Sequence, residues 1–271
     1  MTMMNLVLQG PKAEASTLEA IAALARPART LRLSAHALRC EDVAAGSEVV
    51  DAVQAAALAA QVDATFIEGG RTLADFSLVA MDMDSTLITI ECIDEIADMQ
   101  GLTAEVSEIT ESAMRGELDF AASLTRRVAL LKGLDASALE RVYEERLRLS
   151  PGAETMLAAV KAAGLKTLLV SGGFTFFTDR LKARLGLDYT HANLLEVEDG
   201  RLTGRVVGGI VDAEEKMRTV ERVCLELGVP PSRAIVMGDG ANDLRMMKVS
   251  GLSVAFRAKP VVRAQADVAL N

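Results

Sequence analysis

The sequence predicts an α/β fold, a doubly wound parallel sheet that carries a helical insertion and follows a small N-terminal α/β unit. From residue 77 onward, short apolar runs alternate with helical patterns, which is typical of a parallel sheet covered by helices. Between the first two of these runs, about 80 residues have only helical patterns, which is too long for a simple crossover. Half of the residues are apolar, enough to form a sizeable core.

We predict a small unit over residues 1–74. In it, Ser16 followed by Glu19 forms a capping-box pattern, which predicts a helix that begins at Ser16 and ends at Ala25. Alternating polarity over Arg29–Cys40 predicts one half-buried strand. The other predicted elements are strands at Asn5–Gly10 and Ala64–Ile67, a helix at Glu48–Val62 and a turn at Gly69-Gly70.

The larger unit is predicted over residues 75–271 and contains the parallel sheet. Ser150-Pro151 predicts the start of a helix and Gly164 its end. Asp199-Gly200 predicts a hairpin turn. We interpret the long helical insertion, about residues 90–150, as a cap over one end of the sheet. The predicted strands are Ser77–Met83, Leu165–Val170, Leu194–Val197, Leu202–Val206, Ala234–Met237 and Leu252–Phe256.

The composition excludes several classes of function. The chain has 271 residues and a net charge of −9, whereas a general nucleic-acid binder needs a basic face. With two histidines, a His-rich zinc site or a Ser-His-Asp hydrolase is not expected. If the protein is an enzyme, its chemistry should therefore rest on carboxylates.

Cysteine usage and hydropathy predict a cytoplasmic protein without a membrane anchor. The three cysteines are widely spaced, which fits reduced thiols rather than disulfides or a CxxC metal site. The N-terminus lacks the basic start and long apolar stretch of a signal peptide. The apolar run Ala52–Val62 is too short to span a bilayer.

The segment that follows the first apolar strand carries two carboxylates, Asp82 and Asp84. Residues two apart on a strand share a face, so these carboxylates would repel each other. A divalent cation, or a division into nucleophile and acid, resolves the conflict. The alternative is an ordinary turn with solvated acids.

Three further segments carry candidate site residues: two of them follow predicted strands and one lies in a predicted helix. Val170 to Phe174 (VSGGF) predicts a strand, a turn and a helix, and its hydroxyl and backbone N–H groups suit a phosphate. Lys216 lies in the predicted helix Ala213–Leu227. The segment GDGAND after the strand AIVM offers Asp239, Asn242 and Asp243, which suit an oxygen-liganded cation such as Mg²⁺. The alternatives are a plain turn at the glycines and a solvated surface lysine.

Together and in this order, DxDST, SGG, Lys and GDGxND resemble the haloacid-dehalogenase superfamily of phosphotransferases. Within that superfamily the sequence is similar to the phosphoserine phosphatase family from Leu78 to the C-terminus. The stretches VSGGF, LGLDY, GRLTG, GDGANDLRMM and AFRAKP carry this resemblance.

The resemblance implies a role for each matching residue. Asp82 would be the nucleophile that forms an aspartyl-phosphate, and Asp84 the general acid and base. Mg²⁺ would be held by the Asp82 carboxylate, the backbone carbonyl of Asp84 and Asp239, with Asp243 orienting a metal-bound water. The phosphoryl group would be held by Ser171, Gly172 and Lys216, with Asn242 at the same end of the site.

The same resemblance places substrate selection in the cap. Glu91 would bind the amino group of O-phosphoserine, and Arg127 its carboxylate. Met114 and Phe120 would close over the ligand. The alternatives are surface charges for Glu91 and Arg127 and core packing for Met114 and Phe120. The neighbouring Arg126 competes with Arg127, but only one of two successive helical residues should point inward.

The implied activity is hydrolysis of O-phosphoserine to serine and phosphate, the last step of serine biosynthesis. Three alternatives remain open: transfer of the phosphoryl group to an alcohol such as homoserine, hydrolysis of another small phosphomonoester, and a catalytically silent binding or scaffold protein. The resemblance also implies that residues 1–74 form an ACT-like regulatory or dimerisation domain. Since the stretch from Gly10 to Glu14 lacks the usual glycine-centred turn, we expect it to pair subunits into a homodimer rather than to bind serine.

Overall fold

A computed structural model describes residues 4–114 and 117–271, except for the side chain of Met114. The chain divides into two compact units, one formed by residues 76–253 and the other by residues 1–75 with 254–271. Within the described residues, none of the helices combines the length and the apolar character needed to cross a bilayer.

The N-terminal residues form a four-stranded antiparallel sheet in the order β2-β3-β1-β4. Leu6 and Leu8 alternate with less buried neighbours on β1, and Leu18 and Val53 from the two helices complete the same apolar core. The elements are β1 (Met4–Gln9), α1 (Ala15–Leu24), β2 (Arg29–Ser34), β3 (Ala37–Val43), α2 (Ser47–Ala59) and β4 (Asp63–Glu68).

Two local predictions for this unit are wrong. Helix α1 begins at Ala15 with Glu14 as its N-cap, two residues before the cap predicted at Ser16; the chain already turns at Gly10, whose carbonyl accepts the N–H of Ala13. Ser16 therefore lies inside the helix and does not cap it. The strand predicted over Arg29–Cys40 is a hairpin of β2 and β3, because the Ser34 hydroxyl accepts the N–H of His36 and turns the chain there.

The predicted doubly wound sheet is confirmed as a seven-stranded sheet in the order β11-β10-β9-β5-β6-β7-β8. All its described pairings are parallel except that of β8 with β7. The four residues of β5 are all buried, as expected of a central parallel strand. The strands are β5 (Leu78–Met81), β6 (Lys166–Phe174), β7 (Tyr189–Glu198), β8 (Arg201–Val207), β9 (Ala234–Gly238), β10 (Leu252–Phe256) and β11 (Val268–Leu270).

The predicted helical cap follows β5 and precedes β6. Asp119 begins its helix α5 by accepting the N–H of Ala122 at 2.7 Å. The described cap helices are α3 (Cys92–Asp98), α4 (Thr103–Met114), α5 (Phe120–Leu130) and α6 (Ser137–Arg141), and a further helical turn covers Val142–Arg146.

The other helices are α7 (Ala153–Ala162), α8 (Thr175–Leu185), α9 (Ala213–Glu226), α10 (Leu244–Val249) and α11 (Pro260–Arg263). Helix α7 begins later than Ser150-Pro151 predicts, because the N–H of Ala153 bonds back to the Ser150 carbonyl and Gly152 adopts a φ of +85°. The predicted hairpin at Asp199-Gly200 is present, and both residues have the positive φ of a tight hairpin turn.

Candidate active site

The candidate site lies where the central strands of the large sheet reach their carboxyl ends. Strands β9, β5 and β6 are parallel neighbours, so the segments at their ends meet at one edge of the sheet. Asp82 follows β5, Asp239 follows β9, and Ser171 lies near the end of β6. Helix α9 adds Lys216 to this group. The structure thus brings the four sequence motifs together.

Lys216 is fully buried between two carboxylates. Its ammonium nitrogen lies 2.8 Å from Oδ2 of Asp82 and 2.8 Å from Oδ1 of Asp243. Burial alone would lower the pKa of Lys216, but the charges of Asp243 and Asp82 outweigh it and raise that pKa. The alternative that Lys216 is a solvated surface lysine is therefore excluded.

Asp243 holds the loop that follows β9. Its Oδ2 accepts the backbone N–H groups of Asp239 at 3.1 Å and Gly240 at 3.0 Å. A Cβ at Gly238 would lie 2.4 Å from Cγ of Asp243, and one at Gly240 would lie 2.2 Å from Oδ1 of Asn242. The two glycines therefore let Asp243 and Asn242 fold back onto the loop that carries Asp239.

Three carboxylates form an acidic cluster: one oxygen each from Asp82, Asp239 and Asp243 lies within 4.8 Å of the others. Burial, with Asp243 next, raises the pKa of Asp82 well above its usual range although Lys216 opposes the rise. Burial and then Asp243 raise the pKa of Asp239 to about 6. Because one lysine does not balance three carboxylates, the cluster fits a divalent cation that prefers hard oxygen ligands.

Asp84 is not one of the three clustered carboxylates, because β5 ends at Met81 and an irregular turn follows, but its charge contributes to the raised pKa of Asp82. Its Oδ1 accepts the N–H of Cys92 at 3.3 Å. A Cβ at Gly173 would lie 2.8 Å from Oδ2 of Asp84 and 3.1 Å from Oγ of Ser171, so glycine permits their close approach. Burial, followed by the charge of Glu91, raises the pKa of Asp84 to about 7. Such a carboxyl can exchange a proton near neutral pH.

The glycines after Ser171 continue strand β6 to Phe174, so the predicted turn at this point is wrong. The fully buried hydroxyl of Ser171 accepts the N–H of Gly173 at 2.9 Å. The carbonyl of Gly172 accepts Nδ2 of Asn193 at 2.8 Å, and Oδ1 of Asn193 accepts the N–H of Val211 at 2.8 Å. Asn193 thus supports the end of β6, a role that sequence reasoning missed.

Two other polar contacts support the carboxylates. The hydroxyl of Thr86 donates to Oδ1 of Asp239 at 3.2 Å, and that of Ser85 donates to Oε1 of Glu91 at 2.7 Å. Glu91 precedes helix α3 and lies close enough to Asp84 and Asp239 for its charge to raise the pKa of both. The sequence motif DxDST contains both hydroxyls, but the sequence alone does not indicate these two contacts.

Helix α5 carries two of the predicted cap residues, Phe120 and Arg127, and brings Phe120 to the site. The ring of Phe120 packs against the end of β6, since a Cβ at Gly172 would lie 2.7 Å from its Cζ. Arg127 is half-buried, whereas Arg126 is exposed. Among the described residues, Nε of Arg127 is a buried atom that lacks a hydrogen-bond partner. The side chain of Met114 lies outside the described part, so its predicted contact is not observed.

The sheet, its inserted cap and this cluster define a class of hydrolase. The chain belongs to the haloacid dehalogenase-like hydrolase family, whose family model matches residues 79–248. Within this family it is similar to proteins named phosphoserine phosphatase. One of these, from Polaromonas sp., is 60% identical over 204 residues, which cover 73% of this chain and 86% of that protein.

Solved structures extend the similarity. A probable phosphoserine phosphatase from Vibrio cholerae, in unliganded form, has a TM-score of 0.83 and 36% identity, covering 98% of this chain and 82% of that one. A phospho-aspartyl intermediate analogue of a phosphoserine phosphatase has a TM-score of 0.68 and 40% identity, covering 72% of this chain and 93% of that one.

Proposed function

We propose that this chain is a phosphoserine phosphatase that hydrolyses O-phosphoserine to serine and phosphate, the last step of serine biosynthesis. The observation that carries the proposal is geometric: Asp82, held by buried Lys216, and Asp84, which approaches Ser171 at Gly173, come from one turn at the end of β5. We assign Asp82 the role of nucleophile and Asp84 that of proton donor. The similarity to named phosphoserine phosphatases supports the choice of substrate.

In the first step a carboxylate oxygen of Asp82 attacks phosphorus, and the bond from phosphorus to the seryl oxygen breaks. Asp84 gives its proton to that leaving oxygen. The ammonium of Lys216, the hydroxyl of Ser171 and the backbone at Gly172 hold the phosphoryl oxygens, with Asn242 at the same end. The structure of a related phosphatase as a phospho-aspartyl analogue supports this course.

In the second step water attacks the phosphorus of the aspartyl-phosphate. Asp84, now ionised, takes a proton from that water, the bond from phosphorus to Asp82 breaks, and phosphate leaves. Asp82 is regenerated as a carboxylate and Asp84 as an acid, so the cycle closes without histidine. Phosphoryl transfer depends mainly on positioning and charge dispersal, which these buried groups provide.

A divalent cation fits the acidic cluster, and we propose that it is Mg²⁺. The carboxylates of Asp82 and Asp239 and the backbone carbonyl of Asp84 would hold it. Asp243, whose oxygens already contact Lys216 and the loop, would act from the second layer of ligands. When bound, the cation would supply positive charge that offsets repulsion between the nucleophile and an anionic ester.

Selection of phosphoserine is assigned to the cap. Glu91 would accept the ammonium group of the substrate, and Arg127 would bind its carboxylate through paired hydrogen bonds. The buried, unpartnered Nε of Arg127 supports this role, because a buried guanidinium atom needs an acceptor. Phe120 and Met114 would pack over the substrate.

We also propose a division of the protein into an ACT-like domain over residues 1–74, which pairs two subunits, and a phosphatase domain over 75–271 with its cap at about 90–150. The separate sheet and core of the N-terminal residues support the first boundary, and the membership of β10 and β11 in the seven-stranded sheet supports assigning residues 254–271 to the phosphatase domain. Free, buried Cys40, Cys92 and Cys224 support a cytoplasmic location.

The test is phosphate release from O-phosphoserine by the full chain with Mg²⁺ present. We expect release without any alcohol acceptor, and a loss of at least about 10³-fold in kcat for Asp82→Asn, because an amide is a poor nucleophile. Asp199→Asn, which removes the same charge at the exposed hairpin turn, should retain full activity.

Two results would overturn the proposal. A rate that requires homoserine would show a phosphotransferase instead of a hydrolase. Full activity of Asp82→Asn would exclude Asp82 as the nucleophile.

A further inference from the structure

We propose that Gly204 on strand β8 is a positioning residue for substrate recognition: its missing side chain sets the place of helix α5 and thereby of Arg127. The inference rests on the proposed function, in which Arg127 binds the carboxylate of phosphoserine. It extends that function by assigning the β7–β8 hairpin a part in specificity.

Gly204 makes a close approach to the end of helix α5. A Cβ there would lie 3.0 Å from Cβ of Lys132, 3.2 Å from the carbonyl oxygen of Ala129 and 3.3 Å from its Cα. Two of these neighbours are backbone atoms, which cannot rotate away as the end of a side chain can. A methyl group at Gly204 would therefore push the helix end itself.

The segment that leaves α5 is also bonded to the hairpin. The N–H of Gly133 donates to the carbonyl of Leu202, the N–H of Leu202 donates to the carbonyl of Leu134, and the N–H of Ala136 donates to the carbonyl of Gly200, each at 2.8 Å. The guanidinium of Arg201 adds a bond to the Gly133 carbonyl at 2.8 Å. The hairpin therefore holds the segment that follows α5 by hydrogen bonds, in addition to its contact with the helix end at Gly204.

The other end of α5 is set by a second glycine. Phe120, its first residue, packs onto Gly172 at the end of β6. Arg127 lies between these two contacts, two residues before Ala129. Since a short helix moves as a rigid body, a shift imposed at Ala129 also moves the guanidinium of Arg127.

Such a shift matters because paired hydrogen bonds from a guanidinium to a carboxylate need a fixed geometry. A Cβ at Gly204 would require its neighbours to move by a few tenths of an ångström. Since a misplacement of about 1 Å can cost on the order of 100-fold in rate, we expect a loss smaller than that. The effect should be selective: a substrate that lacks the carboxylate makes no use of Arg127.

The experiment compares kcat/KM for O-phosphoserine with that for O-phosphoethanolamine, which keeps the amine and phosphate but has no carboxylate. We expect Gly204→Ala to lower the ratio of the two values at least fivefold, mainly through KM for phosphoserine. The matched control is Gly208→Ala, because Gly208 has the same positive φ, +81° against +80°, but no neighbour within 4 Å of a Cβ. Loss of folded enzyme lowers both rates equally and leaves the ratio unchanged.

A milder pair of variants covers the case in which Gly204→Ala does not fold. Arg201→Ala removes the bond to the Gly133 carbonyl and should lower the ratio about twofold. Arg205→Ala on the same strand, whose partner is Glu196 on β7, should leave the ratio unchanged.

Arg127→Ala gives the ratio that is expected when the carboxylate is not bound at all, and the other variants are compared with it. Suppose that Arg127→Ala lowers the ratio. If Gly204→Ala folds and leaves the ratio unchanged, the inference is overturned and the proposed function stands. If Gly204→Ala does not fold, an unchanged ratio for Arg201→Ala overturns it in the same way. If the unsubstituted chain does not hydrolyse phosphoserine, the proposed function itself has failed.

Discussion

Lys216 shows that a single residue's burial could be predicted from its place in a helical pattern. The buried residues of α9 are Lys216, Thr219, Val220, Val223 and Cys224, which recur at the three- and four-residue spacing of one helix face. A lysine on such a face must meet carboxylates, because an isolated buried charge is very unfavourable. The same pattern separates Arg127 from Arg126: Leu124, Arg127 and Val128 share the inward face of α5.

The two arginines provide a prediction at the scale of one residue. Arg127→Ala should raise KM for O-phosphoserine, because charged hydrogen bonds worth about 1.5–3 kcal/mol are lost, which corresponds to roughly 10- to 150-fold. Arg126→Ala, a change of the same chemistry at the exposed neighbour, should change KM less than about twofold. Steady-state kinetics with both variants measure this, and equal effects would contradict the assignment of Arg127.

Other site residues could not be predicted from the sequence. Asn193 lies in a strand, and its side chain joins Gly172 to Val211, which are far from it along the chain. Nothing local to Asn193 specifies these partners, since they depend on how β7 and β6 pair. The motif acids differ, because they come in two short segments, each recognisable by its spacing at the end of a predicted strand.

At the scale of elements, strand positions were predicted better than their ends. The predicted strand Leu252–Phe256 matches β10, because its mainly apolar run is bounded by Gly251 and Arg257. Strand β6 continues through Ser171 and two glycines, because Phe174 still pairs with Asn193 on β7. That pairing is a tertiary contact, whereas the local glycine signal indicates a turn.

Asp188 joins two elements and gives a prediction with a pH dependence. It lies just before β7, where its carboxylate accepts the N–H of Thr167 at 2.9 Å, the hydroxyl of Thr167 at 3.0 Å and the ammonium of Lys166 at 2.7 Å. Partial burial alone would raise the pKa of Asp188, but the hydrogen bonds from Lys166 and Thr167 outweigh it and lower that pKa. We expect Asp188→Ala to lower the free energy of unfolding by about 1–3 kcal/mol at pH 7.

The sign of the pH effect follows from the lowered pKa. A carboxylate with a lower pKa in the folded state stabilises the protein above its unfolded pKa, and this contribution is lost as pH falls through the folded pKa. The difference between the parent and Asp188→Ala should therefore shrink below about pH 4. Urea unfolding at several pH values measures it, with Glu145→Ala, from an exposed pair with Arg141, as a control costing less than about 0.5 kcal/mol. A difference that grows at acidic pH would contradict the argument.

At the scale of the whole molecule, the order of strands explains why the sequence motifs meet at one edge of the sheet. Since β9, β5 and β6 are parallel neighbours, residues at their carboxyl ends must converge, whatever the detailed packing. The approach of the cap to these residues is different, because it depends on contacts such as Phe120 with Gly172 and the hairpin with Ala129. Neither contact has a local sequence signature.

The acidic cluster predicts a linkage between cation binding and the stability of the whole fold. Three carboxylates lie together and the buried Lys216 pairs with only two of them, so a divalent cation that binds the folded state should stabilise it. At a cation concentration about 100 times its Kd, the gain is about 2.7 kcal/mol, which for a chain of this size raises Tm by roughly 5–10 °C. We expect this rise when Mg²⁺ is added to protein stripped with EDTA, together with recovery of activity.

The variant Asp239→Asn tests whether the cation that raises Tm binds at the acidic cluster. It removes one carboxylate of the cluster but leaves Lys216 with both its partners, so the variant should fold and lose most of the rise in Tm. Asp199→Asn, the same change at an exposed turn whose positive φ asparagine tolerates, should keep the full rise. Differential scanning calorimetry with and without Mg²⁺ measures both. An undiminished rise for Asp239→Asn would place the stabilising cation elsewhere in the molecule, because a ligand shifts stability only through the site that it occupies.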